Sequence, residues 1–354
     1  MRSFAASGGD LAQVCRPGRT NLIREDALRR KNVASDRLRA THPRQHEAVA
    51  LAAVFTAPGT TADVSAALTE HGYLPDEGLS TVVYLSVTMG RPLFLEGDAG
   101  VGKTELAKVL AAWIGGEFIR LQCYEGIDAA QALYEWDYTR QLLHLRTAEA
   151  AGRAAADAEA IEDELYSERF LIRRPLLRAI DHDDVTPAVL LIDEVDRADD
   201  EFEAFLLEVL SDFTVTVPEL GTITAARPPL VVVTSNRTRD VHDALKRRCL
   251  YHWVSHPSVD REVEIVKLKL PDVDGALARQ VASAVSVMRE MRLYKPPGVA
   301  ETIDWATALG RLGAAELDTP MLEATLGTVL KYREDQQRVT SVGMEMIMAA
   351  VAEA

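Results

Sequence analysis

The eight residues "GDAGVGKT" (97–104) constrain this chain more than any other stretch. Gly97, Gly102, Lys103 and Thr104 fill every fixed position of the pattern G-x-x-x-x-G-K-S/T. The run follows an apolar, strand-like "PLFLE" (92–96) and opens a helical "TELAKVLAAWI" (104–114), the setting the pattern requires. Glycines let the backbone turn tightly, so that N–H groups from Gly97 through Asp98, Ala99, Gly100, Val101 and Gly102 to Glu105 can surround a phosphate near a helix N-terminus. Lys103 then reaches the β- and γ-phosphates, and Thr104 ligates Mg²⁺. A chain built around such a loop is expected to bind a nucleotide.

The rest of the sequence supplies a matching frame. From about residue 62, apolar helical stretches alternate with short β-branched runs, the pattern of a parallel sheet with helices on both faces. Five strands are expected: "PLFLE" (92–96), "FIRLQ" (118–122), "AVLLID" (188–193), "LVVVTS" (230–235) and "CLYHWV" (249–254). A long insertion follows the second. It is read as a hairpin, "YEWDYTRQLLHLR", and one alanine-rich helix, "TAEAAGRAAADAEAIEDEL". "FTVTVPELGTITA" reads as a second hairpin, within 213–226. After Pro257 the strand signal stops, and periodic helices fill 258–354 as a small all-α domain.

Acidic and amide residues stand where strands of such a sheet end. "AVLLIDEVDRAD" carries a buried strand out to Asp193 and Glu194. That is the edge at which open α/β sheets bind ligands. Asp193 is expected to hold Mg²⁺ and Glu194 to polarise the attacking water. "LVVVTSN" sets Asn236 at the next strand tip, where an amide can orient that water.

The formal net charge is −15, which argues against nucleic acid or an anionic membrane as the main partner. Residues 1–60 run the other way, with ten Arg/Lys against five Asp/Glu, so residues 61–354 carry −20. The first 60 lack a sustained apolar stripe and are read as a disordered basic extension. No run of about eighteen apolar residues predicts a membrane span. Three scattered cysteines fit a reducing cytoplasm, and no early apolar core predicts secretion.

"DALKRRCLYHW" (243–253) puts Lys246, Arg247 and Arg248 before the fifth strand, as surface charge, a nucleic-acid contact or a catalytic cation. The order phosphate loop, Asp-Glu strand end, strand-tip Asn, Arg pair and helical lid resembles the AAA+ ATPases over about residues 62–340, with Walker A and Walker B motifs at 97–104 and 188–194. "GRPLFLEGDAGVGKTELAK", "RLQCYEGIDAAQALYEWDYTRQLLHLR", "DALKRRCLYHW" and "VAETIDWATAL" are similar to the MoxR family, and within it to the CoxD-like branch tied to carbon monoxide dehydrogenase maturation. The resemblance implies a core at 61–257 with an insert at 124–150, and a lid at 258–354. It implies ATP and Mg²⁺ as cofactors, and ATP hydrolysis driving a chaperone that remodels a metalloenzyme client such as a molybdenum hydroxylase. It also implies a hexameric ring of cytoplasmic subunits and a partner with a von Willebrand A domain. In that family the arginine pair faces the neighbouring subunit's nucleotide, which assigns the finger role to Arg248 first and Arg247 second. Such a finger is worth about 10³–10⁵ in rate, roughly 4–7 kcal/mol. The alternative function is an ATP-binding scaffold that recruits a partner with little use of hydrolysis.

One departure stands out. Relatives carry a lid arginine in the stretch matching "GVAETIDWATAL", where this chain has Thr302, flanked by Glu301 and Asp304. Arg311 is a possible replacement. Cys249, His252 and His256 invite a metal site, but Cys249 and His252 fall on opposite faces of a strand, and His252 and His256 lie too far apart if extended. Tyr124, Trp136 and Tyr138 form an aromatic cluster that suits packing better than client docking.

Overall fold

The computed structural model describes residues 55–152, 158–182 and 184–354. The basic extension expected over the first 60 residues falls almost wholly outside them. Helices α1 (Thr61–Glu70) and α2 (Glu77–Met89) lead into strand β1 (Leu93–Gly97), the phosphate loop and α3 (Lys103–Ile114). Thr60 and Asp76 cap α1 and α2 by accepting the N–H groups of Asp63 and Leu79. The remaining sheet strands are β2 (Phe118–Gln122), β5 (Val189–Asp193), β8 (Leu230–Ser235) and β9 (Leu250–Val254). They pair in the order β2-β5-β8-β1-β9, all parallel.

Alternation along the strands builds two cores. Phe94, Leu190, Ile192 and Val233 pack on one face with Phe202, Leu206 and Leu245, while Leu93, Leu95, Leu191 and Val232 pack on the other with Leu68, Val83 and Leu106. Helices therefore cover both sides, and the strands' carboxyl ends share one edge. This is an AAA+ P-loop core. A third core, in the helices from α10 (Val259–Lys269) through α11 (Gly275–Glu290), α12 (Val299–Arg311) and α13 (Thr319–Val329) to the C-terminus, surrounds the fully buried Trp305. The Trp305 indole N–H donates to Thr325 Oγ1 at 2.7 Å.

The excursion after β2 differs from expectation. It begins with α4 (Ala129–Leu133) and β3 (Tyr134–Trp136), but the chain does not turn back as a hairpin. Asp137 accepts the Arg140 N–H at 2.9 Å and starts α5 (Tyr138–Ala150). Strand β3 pairs instead, antiparallel, with the distant β4 (Leu171–Arg173). The alanine-rich stretch is likewise not one helix. Helix α5 stops at Ala150, Gly152 takes φ 71°, and α6 spans Ala158–Leu165. A capping aspartate and a left-handed glycine outweighed the alternation in the one case and the alanine propensity in the other. Helices α7 (Pro175–Ile180) and α8 (Asp200–Asp212) follow, and the second hairpin forms as read, with β6 (Thr214–Val217) against β7 (Gly221–Thr224).

Candidate functional site

The phosphate loop needs its glycines. A β-carbon on Gly97 would lie 2.3 Å from the Val254 carbonyl oxygen, so β9 leaves room only for hydrogen there. Gly102 takes φ 98° and opens α3 with no side chain capping its N-terminal N–H groups. Lys103 is buried and donates to the carbonyls of Gly97 and Asp98 at 2.7 and 2.6 Å. Burial lowers its pKa, against the pull of Asp98, Asp196, Asp193 and Glu194.

Beside the loop lies a cavity of about 880 Å³, large enough for a nucleoside triphosphate. Ala99 to Glu105, Asp193, Glu194 and Asn236 line it. Gly97 and Asp98 do not; they form the back of the loop that holds Lys103. The Thr104 hydroxyl donates to Asp193 Oδ1 at 3.1 Å. A hydroxyl and a carboxylate this close form the hard oxygen set that suits Mg²⁺ shared with phosphates. Asn236 Nδ2 lies 3.4 Å from Glu194 Oε1, so the two strand-tip groups meet at the cavity.

Several partners were not foreseen. Arg120 binds Asp193 Oδ2 through Nε at 2.9 Å and Nη2 at 2.5 Å. Gln122 Nε2 donates to Glu194 Oε2 at 3.2 Å, and Arg197 Nε lies 2.8 Å from the same oxygen. Thr234 donates its hydroxyl to Asp193 at 2.6 Å and accepts the Glu194 N–H at 2.9 Å, fixing Glu194 at φ 55°. The buried Asp196 accepts the N–H groups of Asn236 and Thr238 and the Thr238 hydroxyl. Burial pushes that carboxyl up, but these bonds outweigh it and leave its pKa below the usual range. The signal available for Arg120 and Gln122 was their i, i+2 spacing on β2, with the buried Leu121 between them pointing the other way.

The basic triplet divides three ways at the end of α9 (Asp243–Arg248). Lys246 Nζ reaches the buried Glu96 at 3.4 Å, which also accepts the Tyr251 hydroxyl at 2.8 Å. Arg248 donates to the Leu207 carbonyl. Arg247 is exposed, and its guanidinium has no hydrogen bond or ion pair among the described residues. The α9 backbone is held by Arg91, which donates to the Arg247 and Arg248 carbonyls at 2.8 and 3.2 Å. Neither arginine lines the cavity of its own chain.

The lid closes the cavity differently. The Val299 N–H donates to the Gly100 carbonyl at 3.0 Å, seating α12 on the phosphate loop. Glu105 turns to Lys269 of α10 at 2.9 Å; burial raises its pKa, but the lysine holds it below the usual carboxylate value. Thr302 points away from the cavity. It is fully buried and donates to Glu262 Oε1 at 2.6 Å, inside a two-pronged Glu262–Arg289 pair at 2.6 and 2.7 Å. Arg311 sits in the last turn of α12, nine residues on, and is not at the cavity. Cys249 is buried, His252 Nε2 lies 3.6 Å from Asp76, and His256 Nε2 lies 3.5 Å from Asp98. Trp136 is buried between the rings of Tyr134 and Tyr166, while Tyr124 and Tyr138 are exposed.

Residues 92–249 match the AAA domain family, dynein-related subfamily. The chain thus contains an AAA nucleotide-binding domain. Among solved structures, the Thermotoga maritima RuvB Holliday junction branch migration motor is similar at 16% identity and a TM-score of 0.41, over 77% of this chain and 79% of that one. A candidate ATPase of Cytophaga hutchinsonii is similar at 11% identity and a TM-score of 0.43, over 83% and 94%. A search of curated proteins found no match. Among the described residues no helix is long and apolar enough to cross a membrane.

Proposed function

We propose that the chain is an ATPase of the MoxR type that works as a ring and remodels a protein client. The observation that carries the hydrolytic reading is Glu194 beside Asn236 at the inner end of a cavity that also holds Lys103, Thr104 and Asp193. In this reading Lys103 takes the β- and γ-phosphate charge. Thr104 and Asp193 would hold Mg²⁺, which when bound neutralises the phosphates. Asn236 orients a water, and Glu194 accepts its proton as the water oxygen attacks the γ-phosphorus and ADP leaves. The unpaired Arg247 supports a finger acting on the adjacent subunit, and favours it over Arg248, which is tied to Leu207. The CoxD-like resemblance is the sole support for a molybdenum hydroxylase client; the MoxR resemblance supports a hexamer and a von Willebrand A domain partner, and the three scattered cysteines support a cytoplasmic setting.

A second reading has an observation of its own. Glu194 is held by Gln122, Asn236 and Arg197, so its carboxylate must leave these partners to meet a water, which favours a slowly hydrolysing, ATP-bound scaffold. Glu194→Gln separates the two. The motor reading expects an ATPase rate about 10²-fold lower or more at unchanged ATP affinity, with client activation lost. Client activation equal to wild type in that variant would leave only the scaffold.

A further inference from the structure

Two loops of the lid meet in a small basic and aromatic platform on a stretch, residues 61–354, that carries a net charge of −20. Tyr294 is 79% exposed and packs edge-on against Tyr332, with ring centroids 4.9 Å apart. Around the pair lie Arg292, Lys295, Lys331 and Arg333, and no acid occurs in 292–298 or 331–333. Arg292, Lys295 and Arg333 have no carboxylate partner among the described residues, like Lys267, Arg311 and Arg338 of the lid and unlike Arg261, Lys269, Arg279 and Arg289, which each hold one. Lys331 is spent on the carbonyls of Gly327 and Thr328, which fixes its position.

The platform is held from beneath. Asp335, 3% exposed, accepts the N–H groups of Tyr294 and Lys295 at 2.7 and 3.0 Å. Gln336 ties the second loop by donating to the Leu330 carbonyl at 2.8 Å. A buried carboxylate thus fixes the backbone that carries Tyr294, and Tyr332 packs against its exposed ring. Fixed aromatic rings beside unpaired cations are the composition of binding surfaces, because little side-chain freedom remains to be lost on contact.

We infer that this face binds a short acidic peptide segment, carrying an apolar or aromatic side chain, of a protein partner. The unpaired cations call for carboxylates, and the tyrosine pair calls for an apolar group to cover it. A short segment confines its charge to the platform. A polynucleotide would carry one negative charge per roughly 3.4 Å of strand past it, onto a body with a charge of −20 over residues 61–354.

The test is fluorescence anisotropy on the full chain with a labelled peptide of alternating Glu and Phe, its Lys/Phe counterpart, and labelled oligothymidine. The Glu/Phe peptide should bind, weaken with salt, and outcompete both other probes. Tyr294→Ala and the double variant Lys295→Glu with Arg333→Glu should each weaken it by about tenfold or more at unchanged melting temperature, since the three side chains are exposed. No binding of the Glu/Phe peptide would overturn the inference, as would binding that both variants leave intact. Tighter binding of oligothymidine that both variants weaken would assign the face to nucleic acid instead, and tighter binding that they leave intact would overturn the inference.

Discussion

The cavity has two walls of opposite character. The sheet wall brings Lys103, Thr104, Asp193, Glu194 and Asn236 together, each at a strand end or helix start. The lid wall offers Ile265, Leu268, Ile303, the carboxylate of Asp304 and two cations, Arg261 and Lys269, that are already paired within the chain. Lys269 is bound to Glu105, Arg261 to Glu264 and the Pro75 carbonyl, and Arg289 to Glu262. The lid's lining cations are therefore satisfied by carboxylates of the chain, while Lys103 on the sheet wall holds only carbonyls. Among the described residues Lys103 is the lining lysine or arginine with no carboxylate partner, and the proposed finger would bring a second cation from outside. The free Arg247 is the proposed source.

The contrast can be broken in order of effect. Arg120→Met removes the cation that neutralises Asp193, and should cost about 2 kcal/mol of stability without nucleotide. Thermal unfolding should show a drop of roughly 5 °C, most of it recovered with Mg²⁺ and ATP, because another cation then serves Asp193. An equal loss in both states would make Arg120 a simple brace. Thr302→Val deletes the buried hydroxyl at Glu262 and should cost about 1–2 kcal/mol, measured by denaturant unfolding. ATP affinity should stay within about twofold; a large loss would show the lid wall to be electrostatic after all.

The smallest effect concerns pH. His256 is lowered below its ordinary value by burial first and by Arg289 second, with Asp98 pulling the other way. A lowered folded pKa means that the unfolded chain binds the proton more readily. Stability from this group is therefore full above about pH 6.5 and is lost as pH falls below it. Between about pH 7.5 and 5.5 the wild type should lose more melting temperature than His256→Gln. Equal losses would place the acid sensitivity elsewhere.

The sheet wall was legible because its motifs are contiguous: one run supplies Gly97 to Thr104, another Asp193 and Glu194. Arg120 and Gln122 were not, since their role depends on β2 lying beside β5 in a register that pairs Gln122 with Asp193. The excursion was misread for a similar reason. The partner of Tyr134–Trp136 lies at Leu171–Arg173, beyond any local pattern, and Asp137 acts as a helix cap rather than a turn. Thr302 was placed by resemblance, but its orientation follows from the Glu262–Arg289 pair, which no motif announces.

The most direct test mixes two inactive proteins. Glu194→Gln keeps both arginines, and the double variant Arg247→Ala with Arg248→Ala keeps Glu194. If the missing cation comes from the neighbour, ATPase activity should be near zero for each alone and should reappear when the two are mixed, peaking at intermediate ratios. Separate single variants would then tell which arginine reaches across. No recovery at any ratio, or full activity in the arginine variant alone, would contradict a site completed by its neighbour.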